Sequence, residues 1–391
     1  MGSIKSIISR IGGAELAVVS YPVLVQYPNH IGLTVIVLTA IYLLAKKGKT
    51  YWYKPLLLYL VYMIIHEILI GMIVPFVPMY FINRTIVSAL SIVLIFVIAP
   101  NIDYEKFYYS LLLVAIICLI GLLYHIFVIT FSFGTVSAIQ LPLLPKIGRA
   151  GEELVRPCSF FVEPASYAAF MTIIVAFCII RRKMLWAIVF SISMLLSTST
   201  NGFAFVLVIW SVFLLLSNKS NEKNIKRNVV WVVVLIGAFF WLASRGAFDM
   251  GFEKIAMTDS NDDVRLTSGL NLYRNIPFEY KIFGINTVNV YEFIMQHAET
   301  LVGNFRILIK ENEVYLPSFW ENAIHFGLPG VCLYIFCFLG FVREKSLWPF
   351  IAVCLVSSFS QSSDLFIRMV FLMVVFLHFK DNKSYIEEKK S

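Results

Sequence analysis

From Tyr109 to Phe131 the chain runs without a single Asp, Glu, Lys or Arg, and comparable apolar runs recur along most of its length. A run of that length and purity is the signal of a membrane helix. Composition agrees. Hydrophobic residues are 59% and charged residues 14% of the chain, against about 25% charged in soluble domains, and the mean hydropathy is +0.80. A soluble core is therefore the wrong frame, and the expected class is an all-α polytopic membrane protein.

The formal net charge of +8 does not point to nucleic acid. Many Lys and Arg residues stand in short gaps between apolar runs, the pattern of cytoplasmic loops. Lys46, Lys47, Lys49 and Lys54 follow the run Ile31–Ala45. Arg181, Arg182 and Lys183 follow Ala165–Ile180. Lys219–Arg227 and the lysine-rich tail from Lys380 complete the series. Five of the cysteines lie in apolar runs and only Cys158 stands in an outer loop, so no disulfide framework is implied. No cysteine–histidine cluster has zinc-site spacing, and no cofactor is implied.

Taken in order, these runs alternate across the membrane and predict about ten to twelve spans. The first, at 11–28, is a weak membrane segment whose N-terminus lies inside. Three parts follow: a bundle over 1–243 with a smaller outer loop at 132–164, a large outer loop at 244–322, and C-terminal spans with an inner tail at 323–391. The large loop is the longest stretch that is not hydrophobic, and with the smaller loop it is the expected working face.

Residues able to do chemistry concentrate in those loops. Arg156 and Glu163 flank the re-entry of the chain into the membrane, in Arg156-Pro157-Cys158-Ser159-Phe160-Phe161-Val162-Glu163-Pro164. An anion-binding guanidinium beside a carboxylate that takes a proton from a hydroxyl is one reading. A plain helix cap at Glu163 is the other, since an acid there suits the helix dipole. In the large loop Arg245, Arg265, Arg274 and Arg306 are forked donors for phosphate. His297 is a general acid or base near neutral pH, or an exposed histidine with no role. Most of the loop's charges are solvated or paired on the plainer view. Asp259–Asp263 resembles a calcium loop in composition only. Within the spans, His66, Glu67, His125 and Arg368 are costly unless they face protein or water. The pair His66-Glu67 reads as an ion path, a structural pair or part of a substrate cavity. Gly327 and Gly330 are expected to permit close helix packing.

Arg156 and Phe161-Val162-Glu163-Pro164-Ala165-Ser166 ahead of a span resemble the Wzy-type polymerases of O-antigen and capsular polysaccharide. So do the Ser/Thr-rich turn ending in Asn201-Gly202, the series Arg265, Arg274, Pro277 and Gly284, and Phe326-Gly327-Leu328-Pro329-Gly330. The layout of many spans with one large late loop is similar along most of the chain. The resemblance implies a GT-C-like fold in the bacterial inner membrane and a metal-independent glycosyltransferase working on the periplasmic side. It would move a growing glycan from undecaprenyl diphosphate to the next lipid-linked repeat unit, with membrane lipid around it and a separate chain-length regulator as partner. On that view Arg156, Arg265 and Arg274 receive the diphosphate, and Glu163, then His297, is the base. Arg245, Arg306, His66 and Glu67 stand behind them.

Three other classes share parts of the pattern. O-antigen ligases have the same layout but carry a His-Asn pair shortly before the Gly-containing helix start, where this chain reads Leu316-Pro317-Ser318. Lipid-linked oligosaccharide flippases have about twelve spans with shorter loops, and a long loop is more often functional than filler. A proton-coupled transporter would have more ionisable residues in its spans.

Overall fold

A computed structural model describes residues 10–28, 30–73, 86–132, 134–145, 156–217, 222–246, 264–285, 293–294, 309–310, 313–314, 316–360 and 374–378. The chain is mostly α-helical, as expected. Its helices are α1 (Gly13–Leu24), α2 (Ile31–Lys47), α3 (Lys54–Ile73), α4 (Val87–Ile98), α5 (Tyr104–Ser132), α6 (Pro164–Ile180), α7 (Met184–Leu196), α8 (Thr200–Ser217) and α9 (Glu222–Ala243). There follow α10 (Val264–Asn275), α11 (Phe278–Phe283), α12 (Ser318–Val342) and α13 (Trp348–Ser360). Within the large loop, Ile309–Lys310 and Glu313–Val314 form a small antiparallel pair. Among the described residues two helical stretches, Tyr104–Phe131 and Ser318–Val342, are long and apolar enough to cross a membrane, with mean hydropathies of 2.9 and 1.9.

The bundle is built around α6. A helix that is apolar all round belongs in a core, and α6 is buried along nearly its whole length, from Tyr167 to Ile179. It packs against α5, α7, α8 and α13. At one end of the bundle Phe177 of α6 meets Tyr104, Phe107 and Tyr108 of α5 and Phe350 of α13. A second layer pairs α1 with α2 and α5, α2 with α4, and α3 with α12.

Hydrogen bonds tie helix ends together at both ends of the bundle. At one, Lys47 Nζ reaches Asn101 O at 2.6 Å and Asn101 Nδ2 reaches Lys49 O at 2.6 Å. The Asp103 N–H donates to Glu15 Oε1 at 2.9 Å. Arg181 makes a forked pair with Glu105 and lies over the rings of Tyr104 and Tyr108. These are segments that the basic-gap pattern assigned to a single face. At the other end, the Leu141 N–H donates to Tyr27 Oη at 2.8 Å and the Val162 N–H to Gln26 Oε1 at 2.7 Å.

The helix expected to open at Ala323 begins instead at Ser318 and is kinked at Gly327, where φ is 64° and ψ −166°. That region of backbone space is open essentially to glycine alone. Gly284, just beyond α11, has φ 80° and ψ 170°, and the two glycines abut. A Cβ on Gly327 would lie 2.1 Å from Ile282 O, and one on Gly284 would lie 2.3 Å from His325 O. Gly327 is therefore required first by backbone conformation and second by close approach. Pro329 falls in the first turn after the kink, where its missing N–H is harmless.

Alanine at either glycine adds about 1–3 kcal/mol of backbone strain before the collision is counted. Gly327→Ala and Gly284→Ala are each expected to lower the apparent melting temperature of the detergent-solubilised protein by about 5 °C or more. Gly237→Ala is the control, since a Cβ there meets nothing within 4 Å, and it should leave the melting temperature unchanged or slightly raised. Equal melting curves for all three would refute the kink argument.

Candidate functional site

The turn that carries Arg156 and Glu163 is fixed against α5. His125, buried on α5, receives two backbone N–H groups at Nδ1, from Cys158 at 3.3 Å and Ser159 at 3.2 Å. Ser159 has φ 58°, and its Oγ donates to Cys118 O at 2.7 Å. The Ile139 N–H donates to Ser159 O at 2.9 Å, which adds the segment ahead of the turn to the same cluster. Phe161 is buried against Tyr167 and Phe170 of α6. Arg156 and Glu163, by contrast, are half-buried at its margins.

Glu163 is the residue at which α6 starts. Its backbone is extended, with φ −134° and ψ 145°, and its side chain makes no capping hydrogen bond to the helix. Pro164 occupies the first helical position, where one N–H needs no partner. Glu163 is therefore not a hydrogen-bonding cap, while the helix dipole, on which the cap reading rested, still favours an acid at this position. The hydroxyl-rich turn 197–201 belongs to the same end of the bundle. A Cβ on Gly202 would lie 3.4 Å from Ala168 Cβ, one turn into α6. Ser197, Thr198 and Ser199 are buried.

A second cluster forms where α3, α12 and the segment after α11 meet. His66 Nε2 lies 2.5 Å from Phe283 O. A carbonyl only accepts, so Nε2 carries the proton. Tyr62 Oη donates to Phe326 O at 2.7 Å, and the Ile285 N–H donates to Ile324 O at 2.8 Å. These are carbonyls that the kink deprives of helical donors. Glu67 is fully buried one residue after His66. Asn322 is also fully buried, and neither atom of its amide makes a hydrogen bond among the described residues. His325 Nδ1 stands 3.9 Å from Glu321 Oε1.

The structure brings Arg156 and Glu163 onto a single turn and seats His66 beside the α11–α12 junction. Among the large-loop arginines whose side chains are described, Arg245 and Arg274, both are exposed. Arg274 is exposed in the last turn of α10, where its carbonyl accepts from Lys281 Nζ at 2.9 Å. Arg245 is exposed beyond α9, with its guanidinium 5.8 Å from the centre of the Trp241 ring. Arg265 lies in the first turn of α10, and its side chain is outside the described residues, as are His297, Arg306 and Arg368. Among the described residues no group of three or more His, Cys, Asp or Glu side chains gathers closely enough to hold a metal ion. Sequence reasoning assigned no role to His125, Gln26, Tyr62 or Asn322. Their signal was simply a polar side chain inside or beside an apolar run.

Comparison with protein-family models, with curated proteins and with solved structures gives no match for this chain. The functional reading therefore rests on its own residues.

Cys158 reports on the turn. It is a free, fully buried thiol, and burial pushes its pKa up to about 12, with Arg156 partly offsetting the shift. The folded turn holds this proton more tightly than the unfolded chain does. The thiol therefore favours the docked turn below about pH 9 and ceases to do so as pH rises towards about 12. With Cys158 as the sole cysteine, we expect negligible maleimide labelling at about pH 9, where burial keeps the thiol protonated, and full labelling after denaturation. Fast labelling of the native protein would show that the turn is not docked.

Proposed function

We propose that the chain is a polytopic glycosyltransferase of the bacterial inner membrane that polymerises undecaprenyl-diphosphate-linked repeat units on the periplasmic face, with a GT-C-like fold. The observation that carries this reading is the docked turn. It carries Arg156 at one margin and Glu163 at the other, where the central helix starts, and the Glu163 side chain makes no capping hydrogen bond to that helix.

Several features support the membrane part of the proposal. The described helices leave large apolar side chains exposed along their outer surfaces, among them Leu38, Phe127, Leu207, Phe240 and Leu339. A soluble surface rarely does this on such a scale. The basic gaps after α2 and α6 come together at one end of the bundle, and Arg156 and Glu163 stand at the other.

In the proposed reaction the acceptor sugar hydroxyl attacks the anomeric carbon of the donor glycan. A carbon–oxygen bond forms to the acceptor while the bond to the diphosphate oxygen breaks. Glu163 takes the hydroxyl proton, which a positioned base does most effectively within hydrogen-bond reach. Charge develops on the departing diphosphate, and Arg156 meets it as a forked donor. Arg265 and Arg274 are proposed to assist from the large loop, with Arg245 and Arg306 as other candidates. His297 is the second choice of base. The apolar surface of the helices holds the polyprenyl tails, and a separate regulator sets chain length. His66 supports the α11–α12 junction through Phe283 O, and Glu67, the next residue, is fully buried.

The test is a gel of surface polysaccharide from a strain lacking the gene, complemented with wild type or Glu163→Gln. Loss of the ladder to a single repeat unit on its acceptor, restored by wild type, supports polymerisation. Glu163→Gln is expected to restore about a hundredth of the polymer or less at equal protein level, the usual scale for a lost base. Full restoration would remove Glu163 from the role. Polymer left on the lipid carrier would instead indicate a ligase, and unpolymerised units held on the cytoplasmic face a flippase.

A further inference from the structure

We propose that His125 is the positioning residue of the Arg156–Glu163 turn, holding it as a neutral imidazole whose Nδ1 lone pair receives the N–H groups of both Cys158 and Ser159. That the turn is docked in this way stands on geometry alone; that docking matters for catalysis rests on the polymerase reading above.

Two N–H donors converge on one ring nitrogen, at 3.3 and 3.2 Å. A nitrogen that receives them carries no proton of its own, so the ring proton sits on Nε2. The left-handed backbone of Ser159 suits this arrangement, because such a residue turns consecutive N–H groups to one side and forms a small concave donor site. Anions commonly occupy such sites; here the imidazole lone pair does.

The dock is built along one face of α5. Cys118, Gly121 and His125 lie three to four residues apart, the spacing of neighbours on a helix surface. Cys118 offers its carbonyl to Ser159 Oγ. Gly121 leaves room for the turn, since a Cβ there would lie 2.5 Å from Ser159 Oγ and 3.0 Å from the Phe160 ring. His125 takes the N–H groups that the turn cannot satisfy internally. In an apolar setting two unmatched N–H groups are costly, so loss of the acceptor should release the turn that carries Arg156 and Glu163.

The test uses the full-length protein in detergent with Cys158 as the only cysteine, and reads its labelling by a maleimide polyethylene glycol. His125→Leu fills the space without an acceptor. His125→Asn places an amide oxygen near the position of Nδ1, whereas the longer His125→Gln does not. His125→Leu and His125→Gln should label Cys158 about tenfold faster or more, the signature of a turn that opens locally. His125→Asn should stay close to the parent. Gly121→Ala should also speed labelling, by pushing the turn away. In the complemented deletion strain the polysaccharide ladder should fail with His125→Leu and return with His125→Asn. Labelling of His125→Leu at the parental rate would overturn the proposal, as would His125→Asn behaving like His125→Leu at equal yield. If His125→Leu does not accumulate, the Asn and Gln variants decide the matter between them. Fast labelling with an intact ladder would reject the positioning role and leave the polymerase reading standing. A wild-type chain that makes no ladder would reject the polymerase reading, and the labelling arm would still decide the role of His125 in docking.

Discussion

The breaks in these helices are bridged by side chains from other elements, and the rest of the architecture depends on that exchange. A helix end leaves N–H and C=O groups without partners, and apolar surroundings make each unmatched group expensive. The described structure meets this need repeatedly. Tyr62 donates to Phe326 O and Asn101 to the carbonyl of Lys49. His66 serves Phe283 O, Gln26 accepts from Val162, and His125 accepts from Cys158 and Ser159. Each of these bonds ties one element to another. The polar residues of the apolar runs are thus a large part of what sets the arrangement of the helices.

This accounts for what was legible in the sequence. The helices were legible because long apolar runs between basic gaps admit little else. The run Ala165–Ile180 is found as Pro164–Ile180, and Tyr109–Phe131 lies inside the longer α5. His66, Glu67 and His125 were legible as residues that are costly unless they face protein or water, and all three are buried. Their partners were not legible, because a histidine on one helix and a carbonyl far along the chain share no local pattern. The glycine pair shows the same limit. Gly284 and Gly327 each look like an ordinary loop or packing glycine, and only the fold shows that each occupies the space the other's side chain would need. The start of α12 was placed too late for a related reason. Ser318–Asn322 is polar enough to read as loop, yet Ser318 and Asn322 are buried against the bundle.

The same view separates two kinds of polar residue at the candidate site. His125, Gln26 and Ser159 make hydrogen bonds that the backbone requires, and their surroundings are tightly specified. Glu163 differs. The helix it opens has proline at its first position, and its side chain makes no capping hydrogen bond to that helix. A serine or asparagine would be the ordinary choice for that position if capping were the only demand. An acid at that position is still favoured by the dipole of α6.

A base also needs a fixed address. Small errors in the placement of reacting groups cost large factors in rate, and sites are held best by a supporting shell of packed and hydrogen-bonded residues. The turn between Arg156 and Glu163 has such a shell on three sides. The face of α5 holds its backbone, Gln26 holds Val162 next to Glu163, and Phe161 is sealed against α6. What varies from residue to residue along the turn is exposure, with Cys158 and Ser159 buried and Arg156 and Glu163 at the margin. On the proposed polymerase reading, a packed turn with two ionic groups at its rim suits transfer between two bulky lipid-linked glycans, because the substrates would approach from outside while the groups that act on them are held in place.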